Sequence, residues 1–405
     1  MITGKDIICI SSIEWDFVWQ GHQEIASRLA RAGNRVLYIE NIGVRAPGLR
    51  DAARISGRVK NWARSMLSGG VRVVAPNIYV CSPLILPPFG LWNRRINRGI
   101  LLPFVRRTAH RLGMHDVLIL TYLPTDTALD LIGLVRSSIS VLVYYCIADF
   151  AQLAARADRL KNSEKSLIQS SDLVFAQGPE LAMHCAQWSD QVYIFPFGVD
   201  LDKFMPKGEK NNSGPIESIS FLQALPRPVI GYIGGIHRHI DFGLLIEMAR
   251  ARREWSWVFI GPIQTSVGEL ADLPNVHMLG QQPHQTLARH IQEFDVCIVP
   301  YVNSLYTATV VPTKINEYLA VGKPVVSTRL PPVCEFNREH KVLETAVTEP
   351  GAFLSALERA LMLPTDEPTI ARRRQVARLG DWAIRTEAMS KLIEDSWKRK
   401  TLALG

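Results

Sequence analysis

The stretch Val311-Pro-Thr-Lys-Ile-Asn-Glu-Tyr-Leu-Ala-Val-Gly-Lys-Pro-Val-Val-Ser-Thr328 carries the clearest chemistry in the chain. Pro312 suits the first turn of a helix. Thr313 and Lys314 then lie at the positive end of the helix dipole, with Glu317 about one turn on. A hydroxyl, an ammonium and free backbone N–H groups around one spot suit a diphosphate. A carboxylate one turn deeper can accept two hydrogen bonds from a ribose diol. A helix that served packing alone would not need a lysine at its start, where the dipole disfavours it. The second signal is Gly231-Tyr-Ile-Gly-Gly235, running off a strand, with Asp241 placed to cap the following helix. Gly234 and Gly235 let backbone N–H groups approach an anion, and Arg238, between His237 and His239, adds positive charge. Taken alone, this glycine pattern fits a plain strand-to-helix turn equally well.

The elements that must position these residues form an α/β alternation. Ile7–Ile10, Arg35–Ile39, Val117–Leu120, Val141–Tyr145, Leu173–Phe175 and Val192–Phe195 read as strands, with a helix over Gln23–Ala32. The runs are almost continuously apolar, as expected of strands buried on both faces of a parallel sheet. The polar stretch Lys207–Pro215 reads as a linker. The alternation then restarts with strands at Val229–Ile233, Trp257–Ile260, Val276–Met278, Val296–Val299 and Pro324–Ser327. Helices are expected near Phe242–Arg252, His284–Glu293, Thr313–Val321, Ala352–Leu363 and Trp382–Lys400. The predicted fold is thus α/β, with two doubly wound Rossmann-like domains facing across a cleft. The expected boundaries are 1–205 and 206–380, with 381–405 a C-terminal helix able to pack back on the first domain. Ligands of such sheets bind beyond the carboxyl ends of the strands, so one substrate is expected per domain.

Composition narrows the classes. The chain has 405 residues, 47% hydrophobic and 21% charged, which excludes wholesale disorder. Six scattered cysteines include no C-x-x-C pair, and five sit in or beside apolar runs, so reduced core thiols are expected. Asp6 and Glu14 interrupt the N-terminal apolar run, which argues against a signal peptide. The uncharged stretch Val73–Asn93 contains Pro76, Pro83, Pro87 and Pro88 and cannot be a continuous spanning helix.

The second half resembles the nucleotide-sugar-binding part of glycosyltransferase family 4 and related GT-B glycosyltransferases of bacterial polysaccharide synthesis. Besides the two segments above, Phe259-Ile-Gly-Pro262, Asn275–Gly280 and Asp295–Tyr301 are similar to the family's strands. Glu14–Gln20 and Phe197-Gly-Val-Asp200 extend the likeness into the first half. The resemblance implies that Glu317 binds the ribose and that Thr313, Lys314 and Arg238 face the diphosphate. It further implies that the backbone around Met278, Leu279 and Gly280 meets the base and that Tyr301 borders the sugar. The family often carries an earlier glutamate eight positions before the one matched by Glu317; here that position is Thr309. No His-x-x-x-His is present, and the expected donor is a nucleotide-diphosphate sugar, UDP- in preference to GDP-, used without a metal.

Transfer also requires that the acceptor hydroxyl lose its proton. Carboxylates just past strand ends in the first half are the candidates. Asp149 is the expected base, and Asp16, with Trp15 and Trp19 alongside, a second catalytic or acceptor-binding candidate; Asp126 reads better as a helix N-cap. A retaining reaction, in which the donor phosphate takes the proton, would leave Asp149 structural. Between Arg45 and Arg111, thirteen Lys/Arg face a single acid, Asp51. That segment is +12 in a chain of net charge +8, which leaves −4 elsewhere. Trp62, Met66, Leu67, Phe89, Leu91, Trp92 and Phe104 are interleaved. Such a mixture suits an anionic membrane surface without spanning it, or else a solvated basic face. Nucleic acid is not expected, since no motif for it accompanies the charge. The expected protein is a cytoplasmic, peripheral glycosyltransferase acting on a lipid-linked or polysaccharide acceptor at the inner membrane face. A nucleotide-sugar epimerase or phosphorylase of the same fold, or a non-catalytic nucleotide- or membrane-binding protein, is the alternative.

Overall fold

A computed structural model of the chain describes residues 1–17, 19–40, 70–83, 85–86, 91–150, 157–205, 216–308 and 312–404. It divides into two compact units: Met1–Pro196 with Arg385–Gly405, and Phe197–Ile384. The expected linker over 207–215 lies outside the described residues, as do Thr309, Asp51, the basic residues at 45–64, and Trp62, Met66, Leu67 and Phe89.

In the first unit the strands are β1 (Asp6–Ile10), β2 (Arg35–Ile39), β3 (Arg72–Ala75), β4 (Ile78–Cys81), β5 (Leu118–Thr121), β6 (Val141–Cys146), β7 (Leu173–Ala176) and β8 (Val192–Ile194). They form one sheet in the order β3-β4-β2-β1-β5-β6-β7-β8. Every pairing is parallel except β3 with β4. Every residue of β5, β6 and β7 is buried, which explains their unbroken apolar runs. The core joins Ile8, Ile119 and Leu142 of the sheet to Leu102, Leu131 and Leu167 of the covering helices. The β3–β4 pair was not legible in the sequence, where four-residue strands separated by a two-residue turn leave no periodicity to read. The first helix spans Gly21–Arg31, two residues ahead of its expected start, because Gln20 and Gln23 form a reciprocal cap.

In the second unit the strands are β9 (Val229–Ile233), β10 (Ser256–Ile260), β11 (Val276–Met278), β12 (Val296–Val299), β13 (Val325–Thr328) and β14 (Glu344–Ala346). Their order, β11-β10-β9-β12-β13-β14, is wholly parallel. In order of appearance this is 3-2-1-4-5-6, the doubly wound arrangement whose direction reverses between its first and fourth strands. Ile230, Val258 and Ile298 pack with Leu245, Leu319 and Phe353 to make the core.

The unit boundary falls at Phe197 rather than after residue 205 because Phe197–Asp200 is tied to the far end of the second unit. Val199 N–H donates to Gly380 O at 2.8 Å, and Trp382 N–H donates to Val199 O at 3.1 Å. From Arg385 onward the helix Trp382–Leu404 packs on the first unit. There Lys400 Nζ donates to Asp172 at 2.7 Å and Lys5 lies 4.5 Å over the Trp397 ring. Five of the six cysteines are buried and all six are free. No helix among the described residues is long and apolar enough to cross a membrane.

Candidate active site

The second unit's sheet opens where its winding reverses. β9 pairs with β12 only as far as Gly231, two residues short of its own end. A side chain at Gly231 would stand 2.1 Å from the Phe294 ring, so this close packing requires glycine. Beyond it, Ile233 N–H donates not to a strand but to the Tyr318 hydroxyl, at 2.9 Å. Tyr318 belongs to the helix Lys314–Val321, so this bond fastens that helix to the end of β9.

The fastening brings Lys314 over the glycine turn. A Cβ on Gly234 would lie 2.7 Å from Lys314 Cε, and Gly234 holds a left-handed φ of +117°. Lys314 Nζ donates to the Tyr301 hydroxyl at 2.8 Å and lies 5.2 and 5.5 Å from the rings of Tyr232 and Tyr301. Tyr232 in turn donates to Gly235 O at 2.9 Å. Lys314 forms no ion pair among the described residues; its contacts are a hydroxyl and two ring faces, and Glu317 interacts with it through space. Such an ammonium beside a helix start is suited to an incoming anion.

Glu317 sits one turn along the same helix, partly buried. Burial pushes its carboxyl up to about 7, with Lys314 pulling in the opposite direction. The proton is therefore easily exchanged near neutrality, and the group can accept hydrogen bonds from a diol once ionised. His237 is held neutral: burial first, then Lys314 and His239, lower it to about 4. His239 is also lowered, by burial and Arg238, and stacks on Tyr306 at 4.4 Å. The loop carrying these histidines is tied to the end of β12 by Asp241 N–H to Pro300 O at 2.8 Å and Val302 N–H to His239 O at 2.9 Å.

Gly234, Tyr301 and Lys314 thus converge, with Glu317 on the same helix as Lys314. Gly235 lies beside Gln264, whose amide nitrogen would stand 2.7 Å from a Cβ there. Arg238 is exposed on the histidine loop. Met278 ends β11, and Leu279 N–H is already spent on Phe259 O at 2.9 Å, so the backbone available there lies past Leu279. Asp241 caps the helix Phe242–Ala251, accepting from Leu244 N–H at 3.0 Å. Pro312 lies outside the helix rather than in its first turn: Thr313 is the N-cap residue, in a helical conformation and without a side-chain capping bond. Gln264 had no sequence signal, and Gly261, though part of the Phe259–Pro262 segment, was not read as packing on the glycine turn. Gly261 has φ +148°, and a Cβ there would stand 2.0 Å from Gly234 O. A glycine directly after an apolar strand was the signal that could have found it.

In the first unit, Asp149 is half-buried three residues past β6, and its charge helps to raise the His184 imidazole, which is raised chiefly by its bond to Glu164. Asp16 lies in the exposed loop after β1, paired with Arg72 at 2.8 Å. Trp15 packs edge-on against Tyr38 at 5.0 Å and against Trp19 at 5.8 Å, so both indoles brace the loop. Asp126 is not the N-cap. Thr125 accepts from Ala128 N–H at 3.2 Å, because its extended backbone turns the hydroxyl toward the helix start, while Asp126 accepts from Ser163. Sequence reasoning also passed over Glu40. Fully buried at the end of β2, it accepts from Trp15 N–H at 2.7 Å and Ser82 Oγ at 2.5 Å. Burial holds its carboxyl above the usual range.

The comparisons follow this division. Residues 227–362 match the family model described as "Glycosyl transferases group 1". A Bacillus subtilis (strain 168) protein, TuaH, named as a teichuronic acid biosynthesis glycosyltransferase, is 31% identical over 231 residues. That match covers 55% of this chain and 57% of TuaH, so it spans little more than half the relative's length. Among solved structures, sucrose-phosphate synthase of Thermosynechococcus elongatus superposes with TM-score 0.69 at 16% identity, over 99% of this chain and 100% of the other. HepE of Anabaena, solved in complex with UDP, gives 0.64 at 13%, over 96% and 100%. The two mostly parallel sheets and these neighbours make this a chain of GT-B fold, and its residues 227–362 are similar to the group 1 glycosyl transferases.

Proposed function

We propose that the protein transfers a sugar from a nucleotide-diphosphate sugar, UDP- in preference to GDP-, to a lipid-linked or polysaccharide acceptor at the cytoplasmic face of the membrane. The observation that carries the reading is the Lys314 ammonium, without an ion pair among the described residues and held by Tyr301 over the Gly234 turn at the reversal point of the sheet. In this reading Lys314, the Thr313 hydroxyl, Arg238 and the backbone at Gly234 and Gly235 neutralise the diphosphate as it leaves. Glu317 accepts from the ribose diol, backbone past Leu279 meets the base, and Tyr301 borders the sugar. The bond from the anomeric carbon to the diphosphate breaks and one to the acceptor oxygen forms. Asp149 takes the hydroxyl proton, and Asp16 with its neighbouring indoles binds the acceptor. No step asks for a metal, because fixed protein charges supply the electrostatics. The UDP bound to HepE and the polymer-synthesis name of TuaH support the donor and acceptor classes.

A thermal-shift panel of nucleotide sugars tests the donor, since specific binding raises the melting temperature by mass action. A UDP-sugar is expected to give the largest shift and Lys314→Ala to abolish it. A panel without any shift, or a Lys314→Ala protein that shifts as the native one does, would refute the donor assignment.

A further inference from the structure

The helical segment from Leu91 to Arg111 has two unlike faces. Asn97, Leu102, Val105, Thr108 and Ala109 are buried. Asn97 holds Leu86 from both sides, accepting from its N–H and donating to its carbonyl, each at 2.9 Å. The outer face carries Trp92, Ile96 and Ile100, which are 74%, 39% and 67% exposed. In an α-helix, residues four apart overshoot one turn by about 40°. Here Asn97–Leu101 forms a π turn, closed by Leu102 N–H to Asn97 O. Its wider turn reverses part of that overshoot and keeps Ile100 in line with Trp92.

Charge surrounds this apolar row. The segment contains six arginines and no acid. Arg94 turns inward to Asp130 at 2.8 Å. Arg95, Arg98, Arg106, Arg107 and Arg111 form no ion pair among the described residues, and Arg95 lies 5.5 Å over the Trp92 ring. A second copy docking through the same face would set arginines against arginines, which opposes self-association. An anionic lipid surface satisfies both parts, with indole and isoleucine entering the headgroup boundary and guanidinium groups meeting phosphates.

We propose that Trp92, Ile96 and Ile100 are the membrane-inserting tip of this protein, and that Arg95, Arg98, Arg106 and Arg107 select anionic lipid for it. The proposal rests on the acceptor side of the reading above and assigns it to particular residues. The test is co-sedimentation of the full chain with vesicles of phosphatidylglycerol and phosphatidylcholine, against pure phosphatidylcholine, with UDP calorimetry in parallel.

The native protein is expected to pellet with the anionic vesicles only, and to be released by high salt. Arg95→Gln with Arg98→Gln should weaken partitioning about fivefold per arginine, the equivalent of about 1 kcal/mol each. Trp92→Ser with Ile100→Ser should weaken it at least tenfold. Both pairs lie on the surface and should keep native UDP affinity and melting temperature. Failure to pellet, equal pelleting with neutral vesicles, or unchanged partitioning of both pairs overturns the proposal. So does a native dimer dissolved by Trp92→Ser with Ile100→Ser, which would make the face a protein contact. A protein that pellets without binding UDP refutes the donor reading alone; one that binds UDP without pellets refutes this one alone.

Discussion

Replacing Glu317 by Gln should make the protein more stable and a poorer binder of nucleotide. The carboxyl is raised from 4.5 to about 7, with burial as the largest cause. Each pKa unit between folded and unfolded states is worth about 1.4 kcal/mol. The unfolded chain releases this proton above pH 4.5, whereas the folded chain keeps it until about 7. Stability is therefore lost as pH rises through that window. The full cost, about 3 kcal/mol, is present at pH 8, and less than about 1 kcal/mol remains at pH 5. Glutamine has no charge to desolvate. For a unit of this size 1 kcal/mol moves the melting temperature by about 2–4 °C, so Glu317→Gln should melt about 6–12 °C higher at pH 8 and within about 4 °C at pH 5. UDP affinity should fall about tenfold or more, because bonds to a charged acceptor are worth about 1.5–3 kcal/mol. The assay is thermal denaturation of both proteins across pH 5–8, with UDP calorimetry at pH 8. A variant no more stable than the native chain at pH 8, or equally stabilised at both pH values, would refute the reasoning.

Lys314→Ala should weaken UDP binding about 10- to 100-fold in calorimetry, since it removes a charge-assisted contact to the diphosphate; unchanged affinity would place the phosphates elsewhere. Gly234→Ala puts a methyl 2.7 Å from Lys314 Cε at a left-handed φ, so UDP affinity should fall with it, and a variant that binds normally would show that Lys314 need not sit there. Asp149→Asn should reduce transfer by about 100-fold or more while UDP affinity stays native; full activity would remove Asp149 from the chemistry and point to proton capture by the leaving phosphate.

Much of the fold was legible because strands buried on both faces have no choice but to be apolar throughout. Val141–Cys146 and Val296–Val299 announced themselves in that way. The helix start at Lys314 was legible for a related reason. A lysine where the dipole is already positive is locally unfavourable, so the position stands out as one that an anion would relieve. Glycine placement was only half legible. Gly234 was readable as part of a cluster; Gly261 was readable only as a glycine at a strand end, because its φ and its approach to Gly234 are set by a neighbouring strand. Arg72, Glu40, Ser82 and Trp15 meet from four separate stretches of chain, and no spacing rule connects them.

The amino-acid sequence alone determined the two α/β halves, the glycine turn after β9, the Lys314–Glu317 spacing and the concentration of arginine in one segment. These are local properties, set by periodicity, dipole and composition. Only the tertiary structure decided that Tyr318 takes over the lost partner of Ile233 and thereby sets Lys314 on Gly234. It also decided that Arg94 is consumed by Asp130 while Arg95 and Arg98 remain outward, and that Trp92, Ile96 and Ile100 share one exposed face. Neighbouring residues fix each other through backbone geometry, but a hydroxyl, a carboxylate or a covering helix from far along the chain acts only once packing has delivered it.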